Sequence, residues 1–130
     1  MSDLQKKILL AEDDISMRNF LLLTLKRAGF EVTAVEDGLQ AFEAVTTGEF
    51  DAVVADDVMP NMTGHDLCRM LRGNENTAHI PFVILSGREE AFEENPDVKL
   101  ANARLLKTVN LKDELVSVVT ELLQPALTST

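Results

Sequence analysis

The 130-residue chain lacks an apolar run of the length that a membrane-spanning helix requires. Such a helix needs about 18 or more mainly apolar residues in succession, whereas the runs in this chain are of strand length. The amino terminus also lacks the apolar stretch and the small-residue cleavage site that mark a secretory signal peptide. We therefore expect a chain that does not associate with membranes and that lies in the cytoplasm.

Cysteine and basic residues are scarce as well. Cys68 is the only cysteine, so the chain cannot form an intramolecular disulfide, and the apolar neighbours of Cys68 indicate a position in or near the core. The 12 lysine and arginine residues stand against 22 aspartate and glutamate residues, which gives a formal net charge of -10. Because such a charge repels phosphate backbones and anionic membranes, we expect no direct nucleic-acid binding.

Five short apolar runs recur along the chain and predict five β-strands. They span residues 8–11, 32–35, 52–55, 82–85 and 105–106. The third and fourth runs are continuously apolar, which is typical of strands that helices cover on both faces. The length of the chain fits a single domain built around these strands.

Helical patterns lie between and after the strands. They predict helices over residues 15–28, 38–47, 64–71, 88–94 and 111–123. Asp14 is a suitable N-cap for the first helix, and Gly29 is a suitable stop. The fourth helix is short or broken, because Pro96 lacks the backbone donor and clashes with the preceding turn.

Alternating strands and helices predict an α/β fold, with a doubly wound parallel sheet and helices on both of its faces. Ligand sites in such sheets lie outside the carboxyl ends of the strands. The predicted strands end in polar residues, namely Glu12, Asp13, Glu36, Asp37, Asp56, Asp57, Ser86 and Lys107. These are the residues in which a functional site is expected.

The carboxylates at these strand ends would repel each other unless a cation lay between them. Mg²⁺ suits such a group, because it takes oxygen ligands and accepts one or two carboxylates. A lysine and a serine can both interact with a phosphoryl oxygen. A carboxylate nucleophile, Mg²⁺, lysine and serine together indicate phosphoryl transfer, with either Asp56 or Asp57 as the nucleophile.

Four sequence segments resemble the receiver domain of bacterial two-component response regulators, of the single-domain kind similar to chemotaxis regulators. The segments are ILLAEDD at 8–14, ADDVMPNMTG at 55–64, IPFVILSG at 80–87 and LLK at 105–107. Their order and spacing are more specific than any one segment alone.

The resemblance covers residues 6–123 and leaves residues 124–130 as a flexible tail. It implies a flavodoxin-like fold with five parallel strands in the order 2-1-3-4-5. We expect the chain to act as a monomer or a weak homodimer, either as a stand-alone receiver or as a domain excised from a longer regulator.

The resemblance also implies roles for the acidic residues. Asp56, which lies four residues before Pro60, becomes the phosphoacceptor. Asp13 contacts Mg²⁺ directly, Glu12 contacts it through water, and Val58 offers its backbone carbonyl.

The remaining site residues are carried over in the same way. Ser86 hydrogen-bonds the phosphoryl group, Gly87 leaves room for it, and Lys107 pairs with it. Asp57 takes a variable position beside the acceptor, where we expect a solvated or helix-capping acid.

Three features depart from the pattern of the family. Thr108 replaces the proline that usually follows the lysine in a cis peptide, so we expect a trans bond there. Arg104 replaces the aromatic switch residue, and Leu100-Ala101 replaces the usual Gly-Ala pair. We expect Arg104 to stay exposed and to pair with an acidic group of a partner or with Glu89, Glu90, Glu93 or Glu94.

We expect a sensor histidine kinase or a phosphotransfer protein to phosphorylate Asp56 with Mg²⁺. The chain then signals to an unidentified downstream protein through protein contacts, and it is not a turnover enzyme. Two alternatives remain open. One is a binding module that works without phosphorylation, and the other is an Mg²⁺-dependent aspartyl phosphohydrolase, although Val58 stands where such an enzyme needs an acid.

Overall fold

The computed structural model describes residues 5–88 and 100–124. Within them lie β1 (Lys7–Ala11), α1 (Ile15–Arg27), β2 (Glu31–Val35), α2 (Gly38–Thr47), β3 (Ala52–Asp56), α3 (Gly64–Arg72), β4 (Phe82–Ser86), β5 (Ala103–Leu106) and α4 (Leu111–Leu123). The predicted bounds agree with these to within two residues. The predicted helix at 88–94, its interruption at Pro96 and most of the tail lie outside the described residues.

The five strands form one parallel sheet in the order β2-β1-β3-β4-β5. This is the flavodoxin-like arrangement, and the fold expectation is confirmed. The chain moves outward from β1 to β2 and then returns to β3 on the other side of β1. The carboxyl ends of β1 and β3 therefore flank the point where the strand order reverses, which is where ligands bind in such sheets.

Each face of the sheet packs against its own helices. One core contains α2, α3 and the strand residues whose side chains point to one face of the sheet, including Leu9, Val53 and Ile84. The other contains α1, α4 and the alternate strand residues, including Leu10 and Val54. Because both faces are covered, β3 and β4 are buried along their whole length, which explains their uninterrupted apolar sequence.

Local signals fix the ends of α1 as predicted. The Asp14 side chain accepts a hydrogen bond from the Met17 backbone N–H at 2.8 Å, and so satisfies one of the donors left open at the start of a helix. Gly29 follows the helix with φ of 102°, a backbone conformation that glycine adopts without steric cost. These two residues set where β1 leads into α1 and where α1 turns back towards β2.

Arg72, the last residue of α3, ties the helix to the strands beside it. Its guanidinium donates to the Ile80 carbonyl at 2.7 Å, to the Leu100 carbonyl at 3.0 Å and to the Asn102 side chain at 2.9 Å. The same Asn102 oxygen accepts from the Phe82 backbone N–H at 2.8 Å. Arg72 therefore holds the segments that enter β4 and β5, and the sequence patterns did not indicate this role.

Among residues 5–88 and 100–124, every helix is too short or too polar to cross a membrane. Cys68 is fully buried, as its sequence neighbourhood predicts.

Candidate functional site

The predicted acidic residues meet at the carboxyl edge of the sheet. Glu12 and Asp13 follow β1, and Asp56 is the last residue of β3, the neighbouring strand. A carboxylate oxygen of each lies within 4.8 Å of one from the other two. Glu12 is 1% exposed and Asp56 is 6% exposed, whereas Asp13 is exposed. The three residues thus form a site with two buried carboxylates and one that faces solvent.

Glu12 is held in place from several directions. Its backbone N–H donates to the Val35 carbonyl at 3.1 Å, and its side-chain Oε2 accepts from the Asp14 N–H at 3.1 Å. Arg18, one turn into α1, donates to the Glu12 carbonyl at 3.0 Å. The turn between β1 and α1 is therefore rigid, and it fixes the direction in which the Glu12 carboxylate points.

Lys107 supplies the positive charge of the site. It directly follows β5, and its backbone N–H donates to the Ser86 carbonyl at 2.8 Å. Its ammonium lies 2.9 Å from Asp56 Oδ1 and 3.1 Å from Glu12 Oε1. The lysine therefore bridges the two buried carboxylates, in the place where a phosphoryl oxygen on Asp56 would need a counter-charge.

The surroundings of Asp56 disfavour its ionised form. Burial raises the pKa of Asp56 to about 6, and the negative charges of Glu12 and Asp57 act in the same direction. The hydrogen bond and the charge of Lys107 oppose this rise. Because this pKa lies below neutral pH, the Asp56 carboxyl is mainly ionised at pH 7 and becomes protonated in mild acid.

Lys107 is charged at neutral pH. Burial alone would lower the pKa of its ammonium, but the hydrogen bond to Asp56 and the charges of Asp56 and Glu12 raise it overall. The lysine therefore remains a donor throughout the pH range in which Asp56 ionises.

The loop after Lys107 takes a form that proline would not allow. Within the described ranges every peptide bond is trans, including the one before Thr108, as the sequence predicts. The Thr108 N–H donates to the Leu106 carbonyl at 2.9 Å, and its hydroxyl accepts from the Asn110 N–H at 3.2 Å. A proline here would lack both the first donor and the hydroxyl. Thr108 therefore stabilises this loop through two hydrogen bonds that proline could not form.

The loop between β3 and α3 packs closely against the acceptor strand. A Cβ atom on Gly64 would collide with the Asp56 carbonyl oxygen, and the Gly64 N–H donates to the Asp57 carbonyl at 3.2 Å. Thr63 caps α3 by accepting from the Asp66 N–H at 3.0 Å. Only glycine lets the helix start this near to the end of β3, which fixes the backbone that carries Asp56.

Asp57 differs from its prediction. It is 6% exposed and is neither solvated nor a helix cap. Its Oδ2 accepts a hydrogen bond from the Ser86 hydroxyl at 2.7 Å. The reason is the strand register, since Asp56 pairs with Leu85, and the next residue of each strand therefore points to the same face of the sheet. One strand read alone does not show this pairing.

Val58 and Gly87 lie at the open side of the site. Val58 is 62% exposed, directly after Asp57. Gly87 is exposed, and a Cβ atom built on it has no described atom within 4 Å. The described part of the chain therefore leaves space beside Gly87 into which a group on Asp56 could extend.

Arg104 is exposed on β5, an edge strand of the sheet. Its exposure agrees with the prediction. The four glutamates considered as its partners lie outside the described residues. Leu100 is 39% exposed, and its carbonyl is held by Arg72.

The donor set fits a hard divalent cation. Three carboxylates converge on one volume, and oxygen atoms are the ligands that Mg²⁺ prefers. Among the described residues, Lys107 is the cation that forms ion pairs with these carboxylates, through Glu12 and Asp56. With one positive charge set against three carboxylates, this arrangement favours binding of a further cation.

Comparison with known proteins agrees with the fold and identifies a family. The model of the family described as response regulator receiver domain matches residues 8–120. The response regulator receiver protein CpdR of Brucella abortus is 39% identical over 92 residues, which cover 71% of this chain and 74% of CpdR. The DNA-binding response regulator MtrA of Mycobacterium tuberculosis is 32% identical over 93 residues, which cover 72% of this chain but 40% of MtrA.

A solved structure shares nearly the whole fold. The response regulator protein TrrA of Thermotoga maritima, in complex with Mg²⁺-BeF, superposes with a TM-score of 0.84 at 25% identity. The match covers 92% of this chain and 100% of TrrA. The chain therefore corresponds in length to the whole of one relative and to about two fifths of MtrA.

Proposed function

Because the chain belongs to the response regulator receiver domain family, we propose that Asp56 accepts a phosphoryl group. Receiver domains are signalling phosphoacceptors rather than turnover enzymes. The observation that carries the proposal is the contact of 2.9 Å between Asp56 and Lys107 inside the acidic cluster. It joins a buried carboxylate to a cation at the point where the strand order reverses.

Glu12, Asp13 and Asp56 would hold Mg²⁺, with the Val58 carbonyl as a further oxygen ligand. The bound ion supplies neutralising charge to the oxygens of the transferring group. Support comes from the convergence of the three carboxylates and from TrrA, which was solved with Mg²⁺-BeF.

The transfer is a displacement at phosphorus. An oxygen of ionised Asp56 forms a bond to phosphorus while the phosphorus–nitrogen bond of a phosphohistidine donor breaks. The electron pair of that bond remains on the imidazole nitrogen. Lys107, already 2.9 Å from Asp56 Oδ1, neutralises charge on the phosphoryl oxygens, and Ser86 donates a hydrogen bond to one of them.

A sensor histidine kinase or a phosphotransfer protein is the proposed donor. The output is proposed to run through protein contacts in the cytoplasm, since the net charge of -10 opposes binding of this chain to nucleic acid. Phosphorylation adds about 1.5 to 2 negative charges. That charge enters a site that already holds three carboxylates. The added repulsion would shift the side chains at the ends of β3, β4 and β5 towards a different arrangement.

The proposal is tested by incubation with a small phosphodonor such as phosphoramidate, with and without Mg²⁺, followed by intact mass. We expect one labile phosphoryl adduct that requires Mg²⁺ and that hydroxylamine removes, as it does any acyl phosphate. Asp56→Asn should form none. Glu36→Gln, which alters an exposed strand-end acid outside the cluster, should be modified like the wild type.

The other outcomes identify the alternatives. If a folded wild-type chain forms no adduct with or without Mg²⁺, the chain is a binding module that works without phosphorylation. Continuous hydrolysis of varied phosphoesters would instead indicate a phosphohydrolase. An adduct that persists in Asp56→Asn would move the acceptor to another residue.

A further inference from the structure

The hydroxyl of Ser86 is already engaged, and its partner is Asp57. The Ser86 hydroxyl donates to Asp57 Oδ2 at 2.7 Å. Ser86 is fully buried and Asp57 is 6% exposed. We propose that Asp57 is a positioning residue that holds the Ser86 hydroxyl away from Asp56, and so competes with a phosphoryl group for it. This inference rests on the proposed function.

The hydrogen-bond inventory of Ser86 supports the competition. Its oxygen accepts from the Arg88 N–H at 3.0 Å, and the Arg88 carbonyl also lies 3.0 Å away. A hydroxyl has one hydrogen to donate. Because the contact with the carboxylate of Asp57 is shorter and involves an ionisable acceptor, that hydrogen goes to Asp57.

Strand geometry makes the two partners of Ser86 mutually exclusive. Asp56 is aligned with Leu85 across the ladder between β3 and β4. Successive side chains point to opposite faces, so Asp57 and Ser86 share one face while Asp56 starts from the other. To donate to a phosphoryl oxygen on Asp56, the Ser86 side chain must turn and give up Asp57.

Rotation of the Ser86 side chain would also destabilise the Asp57 carboxylate. Its carboxylate is buried and would lose the Ser86 donor just as negative charge is added to the adjacent residue. A hydrogen bond to a charged group corresponds to a factor of roughly 10 or more in an equilibrium. Asp57 should therefore shift the population away from the arrangement in which Ser86 contacts the phosphoryl group.

Two effects of Asp57 must be separated. Its charge repels any anion on Asp56 whatever Ser86 does, whereas the competition needs the Ser86 hydroxyl. A double-mutant cycle separates them, because the repulsion remains when Ser86 is replaced by alanine and the competition does not.

The experiment measures the affinity for beryllofluoride, a mimic of the phosphoryl group, by calorimetry at saturating Mg²⁺. Four proteins are compared: wild type, Asp57→Leu, Ser86→Ala and the double variant. We expect Asp57→Leu to tighten binding about tenfold when Ser86 is present. In the Ser86→Ala background the same change should tighten binding less than about threefold.

A second cycle uses Asp57→Asn, which keeps the shape of the side chain and an oxygen that accepts from Ser86. We expect a tightening of about fivefold, smaller than that of Asp57→Leu, whereas in the Ser86→Ala background only the effect of charge removal should remain, below about threefold. This cycle decides the matter if the leucine variant does not fold. Circular dichroism and thermal melting establish which variants are folded.

Equal effects of the Asp57 substitutions in the two backgrounds would overturn the inference and leave the phosphoacceptor proposal intact. Weaker binding by the Asp57 variants would overturn it as well. Failure of folded wild type to bind beryllofluoride would instead remove the proposed function, and the inference with it.

Discussion

At the scale of single residues, the site depends on a balance of charges inside a buried space. Lys107 contacts both Asp56 and Glu12, and it occupies the side of Asp56 that a phosphoryl oxygen would need. The lysine therefore has two opposed effects. It would attract the phosphoryl group whose transfer we propose, and it would repel a divalent cation at the three carboxylates.

Replacement of Lys107 by methionine should separate these two effects. We expect Mg²⁺ to bind about threefold or more tightly at pH 8, because a positive charge close to two of the carboxylates is gone. Phosphorylation by phosphoramidate should slow by about a hundredfold, since the counter-charge for the phosphoryl oxygens is also gone. Calorimetry measures the first quantity, and intact mass against time measures the second.

Lys112→Met is the matched control, because Lys112 is exposed on α4. Both quantities should match the wild type there. Weaker Mg²⁺ binding by Lys107→Met would show that the lysine holds the carboxylates in position more than it repels the ion.

At the scale of helices and strands, most of the fold could be predicted from the sequence. The central strands are buried on both faces and therefore consist of uninterrupted apolar residues. β5 begins at Ala103, two residues before the predicted strand at 105–106. The prediction began late because exposed Arg104 interrupts the apolar run. Glu12, Asp13 and Asp56 could be grouped from strand ends alone. The burial of Asp57 could not, because it depends on which residue of β4 lies opposite, and that register is a tertiary property.

Arg72 is a second feature that sequence patterns do not reveal, and it predicts a stability effect. Arg72→Met should lower the free energy of unfolding by about 3 kcal/mol, because several backbone carbonyls and the Asn102 side chain lose a charged donor. Arg72→Lys should recover only part of this loss, since an ammonium cannot reproduce the planar fork. Urea denaturation monitored by circular dichroism measures the difference.

Arg27→Met provides the comparison, because Arg27 is exposed at the end of α1. Its cost should stay below about 1 kcal/mol, the usual range for a cation near a helix carboxyl end. A similar small cost at Arg72 would mean that water replaces the guanidinium without loss.

At the scale of the whole molecule, the sheet that forms both hydrophobic cores also brings together carboxylates whose mutual repulsion destabilises the fold. Both cores pack against strands whose ends bring together three carboxylates. The net charge of -10 adds a general repulsion that salt screens. Binding of Mg²⁺ should therefore raise the stability of the fold as well as prepare the site.

The raised pKa of Asp56 predicts how stability depends on pH. The pKa is about 6 in the folded chain, against an ordinary value of 3.8 for an aspartate, so the folded state binds the proton more tightly than the unfolded state does. The resulting stabilisation is fully present below about pH 4 and is lost as pH rises through about 6. Above that range, the ionised carboxylate costs the fold about 3 kcal/mol relative to acid conditions.

Asp56→Asn removes this cost at neutral pH. Without added Mg²⁺, we expect its free energy of unfolding at pH 7.5 to exceed that of the wild type by about 3 kcal/mol, because the neutral amide takes the place of the protonated carboxyl and avoids the cost of ionisation. The difference should shrink as pH falls from 7 to 4, and urea titrations at several pH values measure it. Glu36→Gln should show no such dependence, and a gap between Asp56→Asn and wild type that stays constant with pH would contradict the raised pKa. Saturating Mg²⁺ should narrow the gap at pH 7.5, since we expect the ion to bind more tightly, and so to stabilise more, the chain that keeps all three carboxylates.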